Sequence, residues 1–147
     1  MRALVETLRR LLPGVWCGLL VALASIAAPS AFQALDRASA GLVVRRVFES
    51  EAGVSLALGA LILVIERRAA STRHAQAGVS QFSGEMMLTL GALFCTVAGY
   101  YGLLPMMEAA RAGAAGRLGF AQLHALSAAF FGVKIVLVSA LAWKAAR

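Results

Sequence analysis

Few side chains in this 147-residue sequence have types and spacing that suit chemistry. The clearest set is His124, Ser127 and Lys134, inside one long apolar stretch. At 100° per residue the three fall within an arc of about 80°, so a helix there carries one polar face. An imidazole, a hydroxyl and an amine on one face suit contact with a solute or ion. Lys134 falls near the middle of the stretch, where a lysine costs about 3 kcal/mol to insert. Three outcomes are open to it. Its stem snorkels to the nearer interface, it pairs inside the protein with an acid from the second apolar segment, or it lines a solute path. His124 is expected to be buried, bonded to a backbone carbonyl or to a serine of a neighbouring helix. The second set is Arg45, Arg46 and Glu49. Arg45 and Glu49 are four apart and Arg46 and Glu49 three apart, so either pair can neutralise charge along a helix. These residues read as a solvated helix extension or as a polar entrance between helices.

The remaining candidates offer less. Cys17 and Cys95 lie far apart in apolar stretches without a CxxC motif, and read as small core residues. The two histidines, His74 in a polar stretch and His124, share no element, whereas a metal or haem needs converging ligands. The acids Asp36, Glu51, Glu66, Glu85 and Glu108 fall near the ends of apolar stretches, which argues against a carboxylate relay at mid-membrane. The sequence has no Ser-His-Asp set, paired-carboxylate site or phosphate-binding loop. No catalytic residue, metal site or cofactor is expected.

These side chains need elements to position them. The chain is 61% hydrophobic and 14% charged, with a mean hydropathy of +0.80. Soluble domains are roughly half apolar and about a quarter charged, so an integral membrane protein is implied. A spanning helix needs about 20 residues, and backbone groups in lipid must bond within the segment. Four helices fit, over about 11–28, 38–66, 86–107 and 120–143. The expected fold is all-α, a single domain over 1–147: a four-transmembrane-helix bundle with short loops, helix two extended beyond the bilayer. Pro29-Ser30 marks the end of helix one, 69–83 reads as a polar loop, and Pro105 interrupts the end of helix three. Gly113, Gly116 and Gly119 loosen the last loop. Helix two carries a stripe from Gly41 through Arg45, Phe48, Ala52, Ser55, Gly59 and Ile62 to Glu66. Gly14, Gly18 and Ala22 recur at four-residue spacing, as do Ala121, Ala125 and Ala129, with Ala128 and Gly132 beside them. Such faces let helices approach closely, within the bundle or between copies.

The net charge of +7 comes from small basic clusters between apolar stretches. That distribution fits membrane topology and lipid contact rather than a nucleic-acid footprint. With the N-terminus inside, eight Lys and Arg flank the cytoplasmic side and five the outer side. This predicts an inner-membrane protein with both termini cytoplasmic. Trp16 and Trp143 then fall toward the inner interface, and Tyr100 and Tyr101 toward the outer one. An Arg-rich start, an apolar run and Ser25-Ile26-Ala27 also fit a cleaved signal peptide, but the run is longer than a usual h-region, so the segment is expected to stay.

Ala28-Pro29 with Phe32-x-x-Leu35, then Gly41-Leu42-Val43 and Phe48, resembles the start of the transmembrane protein 205-like family. Pro105 before Ala109-Ala110-Arg111, and Phe120-x-x-x-His124-x-x-Ser127, are similar to later pieces of the same family. The resemblance implies a small four-helix membrane protein with its pattern at Phe32, Gly41, Phe48, Pro105, His124 and Ser127. It supplies no catalytic activity, and Lys134 is outside the pattern. Three function classes follow. The first is a non-enzymatic bundle in the lipid bilayer, packing with itself as a homo-oligomer or with a membrane-protein partner. The second is a solute or ion permeation or efflux component lined by Lys134, Ser127 and Arg45. The third is a redox or metal-binding protein using His124 with Cys95 or Cys17.

Overall fold

The computed structural model describes residues 2–77, 82–113 and 118–147, with the side chains of residue 2 and of 72–77 outside that description. His74, Arg73, Gly116 and Arg117 therefore fall outside the described side chains. Regular structure among the described residues is helical throughout. α1 (Arg2–Ala22) continues through a π turn (Leu23–Ala27) into α2 (Ala28–Ala34). α3 is Arg37–Ala77. α4 (Gly84–Thr96) continues through a second π turn (Val97–Gly102) toward α5 (Leu104–Arg111), and α6 is Phe120–Ala145. Together they give four helices long and apolar enough to cross a membrane: Ala3–Ala34, Arg37–Ser71, Gly84–Arg111 and Phe120–Ala145. The chain is a multi-pass membrane protein, an all-α four-helix bundle. Four spans bring both termini to one end, the terminal end. The Leu35–Asp36 turn and the loop after α5 lie at the distal end.

The boundaries depart from expectation in three places: helix one starts at Arg2 rather than near 11, and helices one and two both end later than expected. Helix one does not end at Pro29-Ser30; it runs on to Ala34. A proline inside a helix removes a donor and crowds the carbonyl four residues back. Here the Ala28 N–H donates to the Leu23 carbonyl, five residues back, so the chain widens one step before Pro29. Pro105 also follows a π turn, but there the Leu103 N–H donates to the Tyr100 carbonyl, three residues back. Pro13 lies within α1, which continues through it as α-helix with no such turn. The polar stretch from 69 onward is not loop either, since α3 continues to Ala77. At about 1.5 Å per residue its 41 residues reach far beyond a hydrocarbon core of about 30 Å.

Local chemistry sets the helix ends. Asp36 starts α3 by accepting from the backbone N–H groups of Ala38 (3.0 Å) and Ser39 (3.1 Å). The Ser39 hydroxyl and these N–H groups hold the Asp36 carboxyl below its ordinary pKa. Ser83 caps α4 through the Met86 N–H, 3.2 Å. Gly113 stops α5 in the left-handed region, at φ 78°.

The core lies toward the terminal end. Trp16 and Leu20 of α1, Ile62 of α3, Ala92 of α4, and Val138 and Leu141 of α6 form it. Trp16 is fully buried, not interfacial, and its indole N–H donates to Ser55 Oγ at 2.8 Å. Trp143 is exposed, with the Arg147 guanidinium 4.8 Å over its ring. The small-residue stripes also sit differently from expectation. Gly14 and Gly18 have open space where a Cβ would stand, and Ala121, Ala125 and Ala129 are exposed. Close approach inside the bundle occurs instead at Gly59, beside Leu93 and Trp16, and at Gly99, beside Phe130.

Candidate functional site

The α3 stripe faces inward. Ala52, Ser55, Gly59, Ile62 and Glu66 are buried along it, while Gly41, Arg45 and Phe48 border a cavity of about 440 Å³ in the distal half. All four spans wall this cavity. Ala24, Ala28 and Phe32 come from span one, and Cys95, Thr96 and Gly99 from span three. His124, Ser127, Phe131 and Lys134 come from α6. Both π turns border it, through Ala24 and Gly99. Such turns often mark functional positions, because they shift the side chains that follow.

The floor is an ion pair. Lys134 Nζ donates to Glu51 Oε1 at 2.8 Å and Oε2 at 3.0 Å, and each side chain is only 3% exposed. Of the outcomes open to Lys134, the structure takes pairing with an α3 acid. Two desolvated charges are stable only when each is matched and its remaining hydrogen-bonding capacity is filled. Here the Ser55 hydroxyl also donates to Glu51, and the Trp16 indole donates to Ser55. A chain of polar contacts therefore links α1, α3 and α6 through the centre of the bundle. The Phe131 ring lies 4.7 Å from Lys134 Nζ and meets Phe48 edge-on at 4.9 Å between centroids. The Phe131 face thus covers the ammonium, with Phe48 against its edge.

The mouth lies at the distal end. Arg45 Nη2 reaches Glu108 Oε1 at 2.6 Å, joining α3 to α5. Arg111 lies 4.5 Å over the Phe120 ring, and Phe120 stacks on His124 with centroids 5.9 Å apart. Between mouth and floor, Ser127 Oγ donates to the Gly99 carbonyl at 2.8 Å.

The structure gathers most of the residues singled out by sequence and separates others. His124, Ser127, Lys134, Arg45, Phe32, Gly41 and Phe48 border one cavity. Pro105 opens α5 and is not in its wall. Glu49 points away and pairs with Arg46 at 2.7 Å. Of the two pairings considered for Glu49 only this one forms, because Arg45 turns to Glu108. His124 is exposed rather than buried, and its neighbour is the Phe120 ring. Cys17 contacts Ser139 at 3.2 Å, while Cys95 borders the cavity. No three His, Cys, Asp or Glu among the described residues are gathered for a metal ion.

Sequence reasoning placed Ser55 on the helix-two stripe and Arg111 in the family resemblance without giving either a role in the site, took Glu51 for a helix-end acid, and missed Phe131. Glu51 reads as a helix-end acid because the apolar run begins only at Val54. A helix from about 38, as expected, already sets it deep in the segment: α3 begins at Arg37, so Glu51 lies fourteen residues in. Lys134 lies fourteen residues into α6, which runs the same way from the distal end. Matching depth on two helices of the same direction is the signal that pairs them. At the terminal end Arg9 holds Glu66 through two bonds, 2.6 and 3.1 Å, and Lys144 lies 3.5 Å from Glu85.

Residues 11–115 match the family described as Domain of unknown function (DUF4149), and the chain belongs to that family. The matched stretch includes Glu51 and the walls from spans one to three, and ends before α6. No curated protein and no solved structure matches the chain.

Proposed function

For this DUF4149 family member we propose a non-enzymatic role as a solute-binding component of the membrane, with the distal cavity as its working part. The observation that carries this reading is the cavity of about 440 Å³ floored by the Lys134–Glu51 pair. Ligand cavities run from about 300 to 1,000 Å³. Ionisable groups inside a span are costly and mark solute or ion paths. Lys134, Ser127 and Arg45 all border the space, which supports a permeation or efflux component over a redox or metal protein. The Lys and Arg counts support placement in the inner membrane with cytoplasmic termini, so that the cavity mouth faces outward. The pattern at Phe32, Gly41, Phe48, Pro105, His124 and Ser127 supports kinship with transmembrane protein 205-like proteins.

The test compares two cysteines in a Cys17→Ala, Cys95→Ala background. Ser127→Cys stands in the cavity wall, and Val136→Cys replaces a side chain that is 67% exposed on the outside of α6. In proteoliposomes, a small charged thiol reagent is expected to modify Ser127→Cys and spare Val136→Cys. Equal rates at the two positions refute the cavity reading.

A second reading rests on the outward small-residue stripes. Gly14 and Gly18 are open to close approach by another helix, which supports self-association or a membrane partner. Gly14→Leu with Gly18→Leu is expected to lower the oligomer mass measured in mild detergent. An unchanged mass removes this reading.

A further inference from the structure

The cavity is not enclosed evenly. Above the Lys134 floor, its walls from α3 and span three are buried at Glu51, Cys95, Thr96 and Gly99 and exposed only toward the mouth, at Arg45, Glu108 and Arg111. Its walls from span one and α6 include the exposed residues Ala24, Phe32, His124 and Ala128. The path of span one explains the difference. α1 packs on both α3 and α6, but beyond the π turn at Leu23–Ala27, α2 packs against α3. No comparable packing joins α2 to α6. The cavity therefore opens sideways between span one and α6, where an embedded bundle meets lipid.

Its interior chemistry is ordered along its length. Toward the floor, Phe48 and Phe131 present aromatic surface. Lys134 and Glu51 satisfy each other beneath them, so the floor offers no unmatched charge to a small ion. At the mouth, Arg45 is matched by Glu108, and no ion pair among the described residues involves Arg111. Arg45, Arg111 and Glu108 together leave one net positive charge there, and His124 adds ring N–H capacity beside Phe120.

We infer that this cavity takes an acyl chain bearing an anionic head, admitted sideways from the bilayer between span one and α6. The chain lies along Phe48 and Phe131, and the carboxylate or phosphate meets Arg111 and His124. The inference rests on the reading of the cavity as a binding site and names its ligand class. Arginine suits such heads because its planar fork matches carboxylate and phosphate oxygens. A cationic amphiphile of equal length meets a mouth of its own sign.

Native mass spectrometry of the full chain in mild detergent tests this with oleate, dioleoylphosphatidylglycerol and oleylamine. One copy of oleate or of phosphatidylglycerol is expected per chain, with oleylamine at the same concentration bound far less. Retention of oleate alone assigns the ligand to free fatty acids, and retention of phosphatidylglycerol alone to bilayer lipid. Retention of both assigns the shared chemistry. Arg111→Ala with His124→Ala is expected to weaken the anionic adduct about tenfold, the scale of one lost charge-assisted bond. Ala128→Trp sets an indole in the side opening from an exposed position, and is expected to abolish the adduct while helicity and elution volume hold. Equal binding of oleylamine, or full binding by the Arg111/His124 variant, overturns the proposal. So does the absence of any adduct. If the adduct is absent while Ser127→Cys still reacts with the thiol reagent, the cavity stands and the ligand class is wrong. If Ser127→Cys is also unreactive, both readings fall.

Discussion

The two halves of the bundle are built from the same four spans and solve different problems. In the terminal half, α1 runs as regular α-helix and fills the centre with Trp16 and Leu20. Glycine brings α3 to within contact of Leu93 and Trp16. In the distal half both interrupted spans pass through a π turn, and the centre holds a cavity. The polar chain Trp16–Ser55–Glu51–Lys134 marks the boundary between them. Lipid-embedded helices lack a strong hydrophobic drive to associate, so packing and hydrogen bonds decide how tightly they close. The terminal half uses both. The distal half gives up packing, and what it gains is room bordered by charge.

The largest expected effect falls on that boundary. Lys134→Met removes the partner of a carboxylate that is 3% exposed, and breaking a buried pair this way costs about 3–5 kcal/mol. Unfolding in mixed micelles reads the loss. Glu51→Gln combined with Lys134→Met is expected to recover most of it, because neither charge is then left alone. If the double variant is as unstable as the single one, the pair does not hold the halves together.

The next effects set the halves against each other. Gly59→Ala places a Cβ 2.5 Å from Leu93 Cδ2, and overpacking of this kind costs about 1–3 kcal/mol. Gly14→Ala meets nothing within 4 Å and is expected to be neutral or stabilising, within about 1 kcal/mol. Trp16→Phe keeps most of the ring volume and loses the bond to Ser55, a cost of about 1–2 kcal/mol. Thermal unfolding of the three variants orders them. A Gly14→Ala loss as large as that of Gly59→Ala would show that α1 packs on a second element through that face.

Much of this architecture was legible in the residues, because lipid forces long apolar helices and admits few alternatives. The membership of the α3 stripe followed from helical spacing; that it faces inward did not. The depth of Glu51 is implicit in a helix starting near 38, but the apolar run at Val54 hides it, because depth read from hydropathy is counted from that run rather than from the helix start. Pro29 and Pro105 announced irregularity. Whether a proline ends a helix or follows a π turn depends on the neighbouring span, which spacing within one segment does not report. The stripes of Gly14, Gly18 and Ala121 carried a packing pattern without its direction. Gly59 and Gly99, outside those stripes, proved to be points of close contact. His124 looked like a core residue by its surroundings in sequence. The gap beside α2 leaves it exposed at the mouth.

The smallest effects come from the ion pairs at the distal end, and they separate a pair within one helix from a pair across the mouth. Arg46 and Glu49 are three apart on α3, with Arg46 largely and Glu49 about half exposed. Arg45 and Glu108 are equally close but join α3 to α5, each about half exposed. Exposed pairs are worth about 0.2–1 kcal/mol and weaken with salt. Arg46→Ala is therefore expected to leave unfolding unchanged within error, and Arg45→Ala to cost less than about 1 kcal/mol. The distinguishing measurement is hydrogen exchange. Arg45→Ala should speed exchange in α5, whose hold on α3 it removes, and high salt should reproduce the change in the unmodified chain. Arg46→Ala should do neither. Uniform exchange across both variants would mean that the distal half is held as firmly as the terminal half, and the contrast between them would reduce to the presence of a cavity.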